Sequence, residues 1–286
     1  MTIRLFYVLL LGCLLPLPGR AQPYQNRLAN RQMFWSEQNL VWKTSGRWSF
    51  QLDHQYRRMA ADVGTRDLNI FRYPMQQVFR PWVAYQLNKG TRLSLSPIGL
   101  WWTWARTTDF QPTTFTQEIR IIPQLQLTRP LGDGELIYRF RSELRWPSAL
   151  DTLTSAYIFL SDGESTRVLA DNFNIRLRAM TRWINPIFKR SPDDRRWYTH
   201  VSVEPMAVLA SADDVIRFDQ NRTYLALGRE IRKGLRVELG YLNQFSIRRN
   251  TDRQLRTFQF NNALHVYLYL ENFWKQSKSQ GESGPD

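Results

Sequence analysis

The chain has almost no cysteine, and after its first residues it has no long apolar run. Its one cysteine is Cys13, so no intrachain disulfide can form and no cluster of thiolate ligands can hold a metal. The longest apolar candidate further along, Ile98 to Trp104, is far shorter than the roughly 18 to 20 residues that a membrane-spanning helix needs. If the chain crosses a membrane, it must therefore do so as a closed barrel of strands.

Histidine is also scarce, and no glycine-rich phosphate loop is present. The three histidines His54, His200 and His265 are scattered, and neither the first nor the last has a carboxylate or a second histidine at ligand spacing. The strong glycine signals fall in turns rather than in nucleotide-binding loops. The sequence therefore predicts no metal site and no cofactor.

The first residues have the pattern of an export signal. Arg4 precedes the apolar stretch Leu5 to Leu17, and a small-x-small cleavage site ends at Ala21, which together predict a signal peptide over residues 1–21. Cys13 follows Leu-Leu-Gly, which leaves open a lipid-anchored alternative.

Positive charge exceeds negative charge throughout the chain. Lysine and arginine total 39 against 25 acidic residues, a net charge of +14, and loss of Arg4 and Arg20 with the signal leaves +12. The basic residues are dispersed rather than clustered, and an exported protein meets little nucleic acid, so we do not expect a nucleic-acid partner.

Apolar and polar residues alternate along eleven stretches. Between Leu136 and Trp146, for example, Tyr138, Phe140 and Leu144 share one face, while three arginines and a glutamate share the other. A barrel with a lipid-facing exterior and a polar lumen requires this pattern on every strand, and the 11 Trp, 12 Tyr and 16 Phe suit its aromatic girdles. The fold predicted is an all-β, antiparallel, up-and-down transmembrane β-barrel. The stretches are 34–43, 48–57, 75–87, 91–104, 115–127, 135–146, 173–185, 197–209, 218–230, 235–245 and 258–273.

Barrels of bacterial outer membranes usually have an even number of strands, so we expect 12, with 10 as the alternative. A hidden strand could lie within 24–31 or 157–167. Prolines inside the proposed strands oppose the assignment unless bulges or strand ends absorb them; they are Pro74, Pro81, Pro97, Pro123 and Pro205. The predicted layout is a signal peptide (1–21), an amino-terminal segment (22–32), the outer-membrane barrel (33–274) and a polar, disordered tail (275–286).

Several segments resemble an uncharacterised family of outer-membrane barrels, domain of unknown function 2490. They are residues 48–52 with Tyr56-Arg57, residues 117–120, residues 138–145, and above all 218–222 followed by 239–244. The resemblance covers nearly the whole chain after the signal, and it implies an outer-membrane barrel without an established activity. The chain departs from many barrels at its end, where a polar tail follows Phe273-Trp274 instead of a final aromatic residue.

Extending the alternation from strand to strand predicts an inward-facing network of arginine and glutamate. Neighbouring strands place Glu118 and Arg120 beside Arg139, Arg141 and Glu143, at separations suited to cross-strand ion pairs. The same alternation turns Arg92 and His265 inward. The predicted lumen network consists of Glu118, Arg120, Arg139, Arg141, Glu143, Arg145, Arg176, Arg178, Arg182, Glu204, Arg222, Arg236 and Glu238.

Two interpretations of this lumen follow. The network could be a structural plug that stiffens the barrel, or, because arginines outnumber acids, it could line a narrow pore that prefers anions. Large inward residues would narrow such a pore; they are Trp102, Trp104, Tyr224, Tyr267 and Tyr269.

An enzymatic alternative rests on one strand. His200, Ser202 and Glu204 share a face there, as an activated hydroxyl would need, but residues two apart on a strand are too widely spaced for direct hydrogen bonds. A lipid hydrolase is therefore a minor alternative, as is a soluble exported barrel that binds an anionic or amphipathic ligand.

We expect a non-enzymatic barrel in the outer membrane, of structural function or acting as a narrow anion-preferring pore. The expected partners are outer-membrane lipid, the barrel-assembly machinery during insertion, and small anions.

Overall fold

The computed structural model describes residues 25–61, 67–105, 114–149, 173–187, 197–210, 216–250 and 255–272. The predicted signal peptide, Cys13, Phe273 and the tail lie outside these ranges. The described residues form eleven strands: β1 Gln25–Lys43, β2 Trp48–Met59, β3 Tyr73–Asn88, β4 Thr91–Ala105, β5 Thr114–Leu131, β6 Gly134–Ala149, β7 Asn174–Ile187, β8 Trp197–Ala210, β9 Ile216–Arg232, β10 Leu235–Asn250 and β11 Leu255–Glu271.

The strands form one closed barrel in which each strand pairs with its neighbours in the chain, and β1 pairs with β11. All consecutive pairs are antiparallel, whereas β1 and β11 run parallel from Gln25↔Leu255 to Val41↔Glu271. The prediction of an all-β barrel is confirmed. The expected count of 12 or 10 strands is wrong, because a long parallel ladder pairs both edges and so closes the sheet with an odd number of strands.

The parallel pairing of β1 with β11, which we call the seam, also explains why the expected twelfth strand is not found in segment 24–31. The segment 24–31, proposed as a separate strand, is instead the first part of β1, which begins at Gln25, before the expected barrel start at residue 33; the other proposal, 157–167, lies outside the described residues. Backbone and side chain tie the seam at its end: Asn272 N donates to Val41 O at 2.9 Å, and Lys43 Nζ lies 2.9 Å from Glu271 Oε2.

Shifts in strand register absorb several of the prolines. The pairing is interrupted between Phe79 and Val83, around Pro81, and between Ser96 and Gly99, around Pro97. A third interruption follows Pro205. These shifts are the bulges that proline inside a strand requires.

The bulge at Pro97 changes which tryptophans face the lumen. Pro97 and Ile98 are both exposed on the outside, so the alternation restarts one residue later and Trp101 becomes buried, at 3% exposure. The prediction that Trp102 and Trp104 point inward is therefore wrong.

The buried core lies inside the barrel. One apolar cluster comprises Met33, Trp35, Met59, Tyr224, Ala226, Leu242 and Ala263, and a second comprises Val78, Trp82, Trp101 and Ile122. Leucines dominate the outer wall, among them Leu225 at 56% exposure and Leu239 at 57%. β1 and β11 both begin at the same rim of the barrel, which we call the loop rim. The opposite rim, which we call the turn rim, carries the connections at 44–47, 89–90, 132–133 and 233–234.

Candidate functional site

The lumen holds a chain of ion pairs that begins on β5. Arg120 donates from Nη1 to Glu143 Oε2 at 2.7 Å and from Nη2 to Glu118 Oε2 at 2.6 Å. Arg145, on β6, also donates to Glu118. One arginine thus links two carboxylates on adjacent strands, as a planar guanidinium can.

The same chain continues across β7 to β8. Arg178 Nη1 contacts Glu143 Oε1 at 2.5 Å, and its Nη2 and Nε donate to Glu204 at 2.6 and 3.2 Å. Arg139 adds a contact to Glu204 at 2.8 Å. Arg176 lies 3.5 Å from Glu143 and 2.8 Å from Asp219 of β9.

We call these residues the Arg/Glu seal, which runs along the wall from β5 to β9. Its central carboxylate, Glu143, is 0% exposed, so three guanidinium groups replace water around it completely. Buried charges need such pairing, since removal of one partner leaves the other uncompensated. The seal comprises Glu118, Arg120, Arg139, Glu143, Arg145, Arg176, Arg178, Glu204 and Asp219.

Four predicted network members do not join an ion pair. Arg141 donates to Gln124 and lies 4.9 Å from the Trp82 ring. Arg236 stacks on Tyr269 at 4.0 Å. Arg222 lies 4.9 Å from the ring centroid of Trp35, and Arg182 Nη2 donates to the Met180 sulfur at 3.8 Å. Among the residues that the structure describes, none of these four arginines has a carboxylate at ion-pair distance.

The remaining predicted carboxylate, Glu238, forms a separate cluster nearer the turn rim. His200 Nδ1 lies 2.9 Å from Glu238 Oε2, while the hydroxyls of Tyr198 and Tyr224 donate to Glu238 at 3.0 and 3.2 Å. All four side chains are buried. Within the row of His200, Ser202 and Glu204, His200 is paired with Glu238, and Glu204 is paired with Arg139 and Arg178.

Sequence reasoning missed a polar group on the opposite wall. Asp53 accepts from Trp82 Nε1 at 2.8 Å and contacts Arg80 Nη2 at 3.2 Å, and Glu37 accepts from Gln55 at 2.8 Å. The alternation in β2 already put Asp53 and Gln55 on one face, and it could have found them. The inward orientation of the Arg80 side chain was harder to predict, because the adjacent proline disturbs the alternation.

A tryptophan connects this wall with the unpaired arginines. The Arg57 guanidinium carbon lies 3.3 Å from the ring centroid of Trp35, which Arg222 also approaches. Cation–π contacts of this kind stabilise a guanidinium without neutralising it. The described lumen therefore keeps an excess of positive charge.

The outer wall carries a large apolar groove. Its volume is about 1310 Å³, and its lining includes Leu95, Pro123, Phe140, Leu177 and Pro205. These are outward-facing residues of β4 to β8, and Trp48, Tyr85 and Phe218 extend the lining to β2, β3 and β9. The groove therefore lies on the outside of the barrel.

The described residues contain no helix long and apolar enough to span a membrane. They also contain no group of three or more histidine, cysteine or acidic side chains placed to hold a metal ion.

The fold and lumen define an eleven-stranded closed β-barrel with a buried polar interior. The chain belongs to the family described as protein of unknown function (DUF2490), which it matches over residues 32–255. The resemblance seen in the sequence is thereby confirmed. No curated protein and no solved structure matches the chain.

Proposed function

We propose that the protein is an outer-membrane β-barrel whose lumen is held closed by the Arg/Glu seal, so that it acts as a structural membrane component and not as an open channel. The observation that carries this proposal is Glu143, fully buried between Arg120, Arg176 and Arg178. An ion that passed through the seal would have to break buried ion pairs, which is costly.

The outer wall supports the membrane location. Outward positions carry large apolar side chains at high exposure, including Phe140 at 48%, Leu177 at 43% and Leu264 at 46%. A soluble barrel would expose this apolar surface to water, whereas lipid acyl chains accept it.

Planar-bilayer recording tests the closed lumen. We expect no channel events from the wild-type barrel, whereas Glu143→Ala with Arg178→Ala removes the centre of the seal and should produce them. Channel events in the wild-type protein would overturn the structural proposal. Extraction of the wild-type protein from membranes without detergent would overturn the membrane location.

A second candidate function is a narrow pore that prefers anions. The observation favouring it is the excess of lumen arginines, since Arg57, Arg141, Arg182 and Arg222 lack a carboxylate at ion-pair distance among the described residues. Unpaired guanidinium groups would attract anions and repel cations. Wild-type channels with an anion-selective reversal potential in a salt gradient would support this candidate, and cation selectivity would overturn it.

A further inference from the structure

Four inward-facing side chains from four strands meet at one tryptophan ring in the lumen. Arg57 of β2 and Arg222 of β9 place their guanidinium carbons 3.3 and 4.9 Å from the ring centroid of Trp35 on β1. The His265 ring of β11 contacts the same indole edge-on, with the two ring centroids 5.7 Å apart. Trp35, Arg57 and His265 are all buried. We call these four residues the Trp35 cluster.

Every member of the Trp35 cluster has a buried nitrogen without a hydrogen-bond partner among the residues that the structure describes. These nitrogens are Trp35 Nε1, Arg57 Nε, Arg222 Nε and both ring nitrogens of His265. Indole and guanidinium nitrogens can only donate, and a neutral imidazole also carries one donor. Buried donors in native proteins nearly always have an acceptor, which the protein, water or an ion supplies. The cluster therefore offers donors to a ligand that accepts hydrogen bonds.

The charge of Arg222 is directed away from the carboxylate that faces it in the sheet. Arg222 is the register partner of Glu204 on β8. Both oxygens of Glu204 are already taken, since Oε1 contacts Arg139 and Oε2 contacts Arg178. Arg222 instead reaches Trp35, whose ring attracts a guanidinium without neutralising it.

Arg57 is separated from the carboxylate on its own wall by an amide. Arg57 Nη2 donates to Gln55 Oε1 at 2.9 Å, and Gln55 Nε2 donates to Glu37 Oε2 at 2.8 Å. The other oxygen of Glu37 lies 3.9 Å from Arg80. Within the described part of the chain, neither arginine of the Trp35 cluster thus has a carboxylate at ion-pair distance.

Two guanidinium groups at one buried ring are costly unless a counter-charge lies beside them. Water could accept the hydrogen bonds, but it would leave both charges uncompensated. An oxyanion supplies negative charge and several acceptor oxygens, and the guanidinium fork binds such oxygens through paired N–H groups. Two cationic groups suit an anion that carries more than one negative charge.

From this arrangement we infer that the lumen binds a small oxyanion of the phosphate type through Arg57 and Arg222, with Trp35 and His265 as further donors. All four residues face inward, so the ligand is the free anion and not a lipid headgroup outside the barrel. The anion is a fixed counter-ion that stabilises the lumen, whereas a pore requires anions to pass through. The inference goes beyond the sealed barrel and does not depend on the membrane location.

Equilibrium unfolding of the full chain in a phosphate-free detergent tests the binding. Inorganic phosphate replaces chloride at constant ionic strength and near-neutral pH, and tryptophan fluorescence follows the transition. A ligand that binds only the folded protein lowers the unfolding equilibrium constant in proportion to its concentration once the site is saturated. For one site, each tenfold increase in phosphate should therefore lower this constant by about tenfold. An unchanged constant would overturn the inference.

Two variants locate the binding. Arg222→Gln should lose the phosphate response, and in phosphate-free buffer it should be no less stable than the wild-type protein, because it removes an uncompensated buried charge. Arg236→Gln is the matched control, since Arg236 also stacks on a ring, that of Tyr269 at 4.0 Å, but lies near the turn rim outside the Trp35 cluster. It should keep the full response. Arg57→Gln should lose the response as Arg222→Gln does, and it replaces that variant if the latter does not fold.

The remaining outcomes each exclude the site. Equal destabilisation of Arg222→Gln with and without phosphate would show that Arg222 only packs on Trp35. Loss of the response in Arg236→Gln as well would indicate diffuse attraction by the lumen charge, and a response that persists in all variants would indicate a general salt effect. None of these outcomes bears on the Arg/Glu seal, whose closure is tested separately by bilayer recording.

Discussion

Arg178 holds Glu204 through two hydrogen bonds, from Nη2 to Oε2 at 2.6 Å and from Nε to Oε1 at 3.2 Å. This bidentate contact joins β7 to β8, and the same guanidinium reaches back to Glu143 on β6. One side chain thus connects three neighbouring strands on the lumen face of the wall. Arg178 is only 7% exposed, so its loss would leave two carboxylates short of a partner in a site sheltered from water.

Arg178→Met should therefore destabilise the barrel strongly. Breaking a buried charge network costs about 3–5 kcal/mol of unfolding free energy, whereas Lys43→Met breaks a pair whose lysine is 54% exposed and should cost less than about 1 kcal/mol. Denaturant unfolding in detergent, followed by tryptophan fluorescence, measures both. Equal unfolding midpoints for Arg178→Met and Lys43→Met would show that the seal contributes no more to the free energy of unfolding than the exposed pair does.

Gly228 provides a test of packing inside the lumen. A methyl group at this position would lie 2.2 Å from Tyr198 Cζ, so Gly228→Ala must displace the tyrosine and weaken its hydrogen bond to Glu238. We expect a loss of about 1–3 kcal/mol. Gly46→Ala is the control, because only the Thr44 hydroxyl, at 3.9 Å, lies near its added carbon; its effect should be within about 0.5 kcal/mol. Similar losses for both would contradict the close packing of Tyr198 on Gly228.

The connection after β2 should respond to acid. Asp67 accepts backbone hydrogen bonds from Asn69 and Ala61 and a side-chain bond from Arg72, and these contacts lower the pKa of its carboxyl to about 2. A lowered folded-state pKa stabilises this connection fully above the ordinary value of 3.8, and the stabilisation is lost as the pH falls through about 2.

Hydrogen exchange of the Ala61 and Asn69 amides measures this effect. After correction for intrinsic exchange, their protection should stay constant down to about pH 4 and fall toward pH 2. Asp67→Asn should reduce protection at neutral pH and remove most of the pH dependence. A variant with the same acid profile as the wild-type protein would exclude Asp67 as the titrating group.

The first residues of β1 and the β1–β2 turn lie at opposite rims, because β1 runs along the barrel wall from Gln25 to Lys43. Outer-membrane barrels place their longer loops outside the cell; with the loop rim on that side, Asn26→Cys should react with an impermeant maleimide added to intact cells. Ser45→Cys, in the turn, should react only after the outer membrane is opened. Labelling of both positions from one side would contradict an arrangement in which β1 spans the membrane.

The sequence determined the strand content of this protein because outward-facing and lumen-facing residues differ in polarity at alternate positions. The alternation placed Glu118, Arg120, Glu143 and Arg178 on inward faces, and the structure joins them in one network. It also located the turns, since a segment such as Asn88-Lys89-Gly90 interrupts the pattern with residues that adopt turn geometry readily.

Only the tertiary structure decided the strand number, the ion-pair partners and the direction of some side chains. The alternation of apolar and polar residues along each strand cannot show whether the last strand runs parallel or antiparallel to the first. It also loses phase at a bulge, as at Pro97, where Trp101 rather than Trp102 turns inward. The pairing of His200 with Glu238 joins β8 to β10 across the lumen, and such a contact depends on barrel closure and side-chain reach, which no local pattern contains.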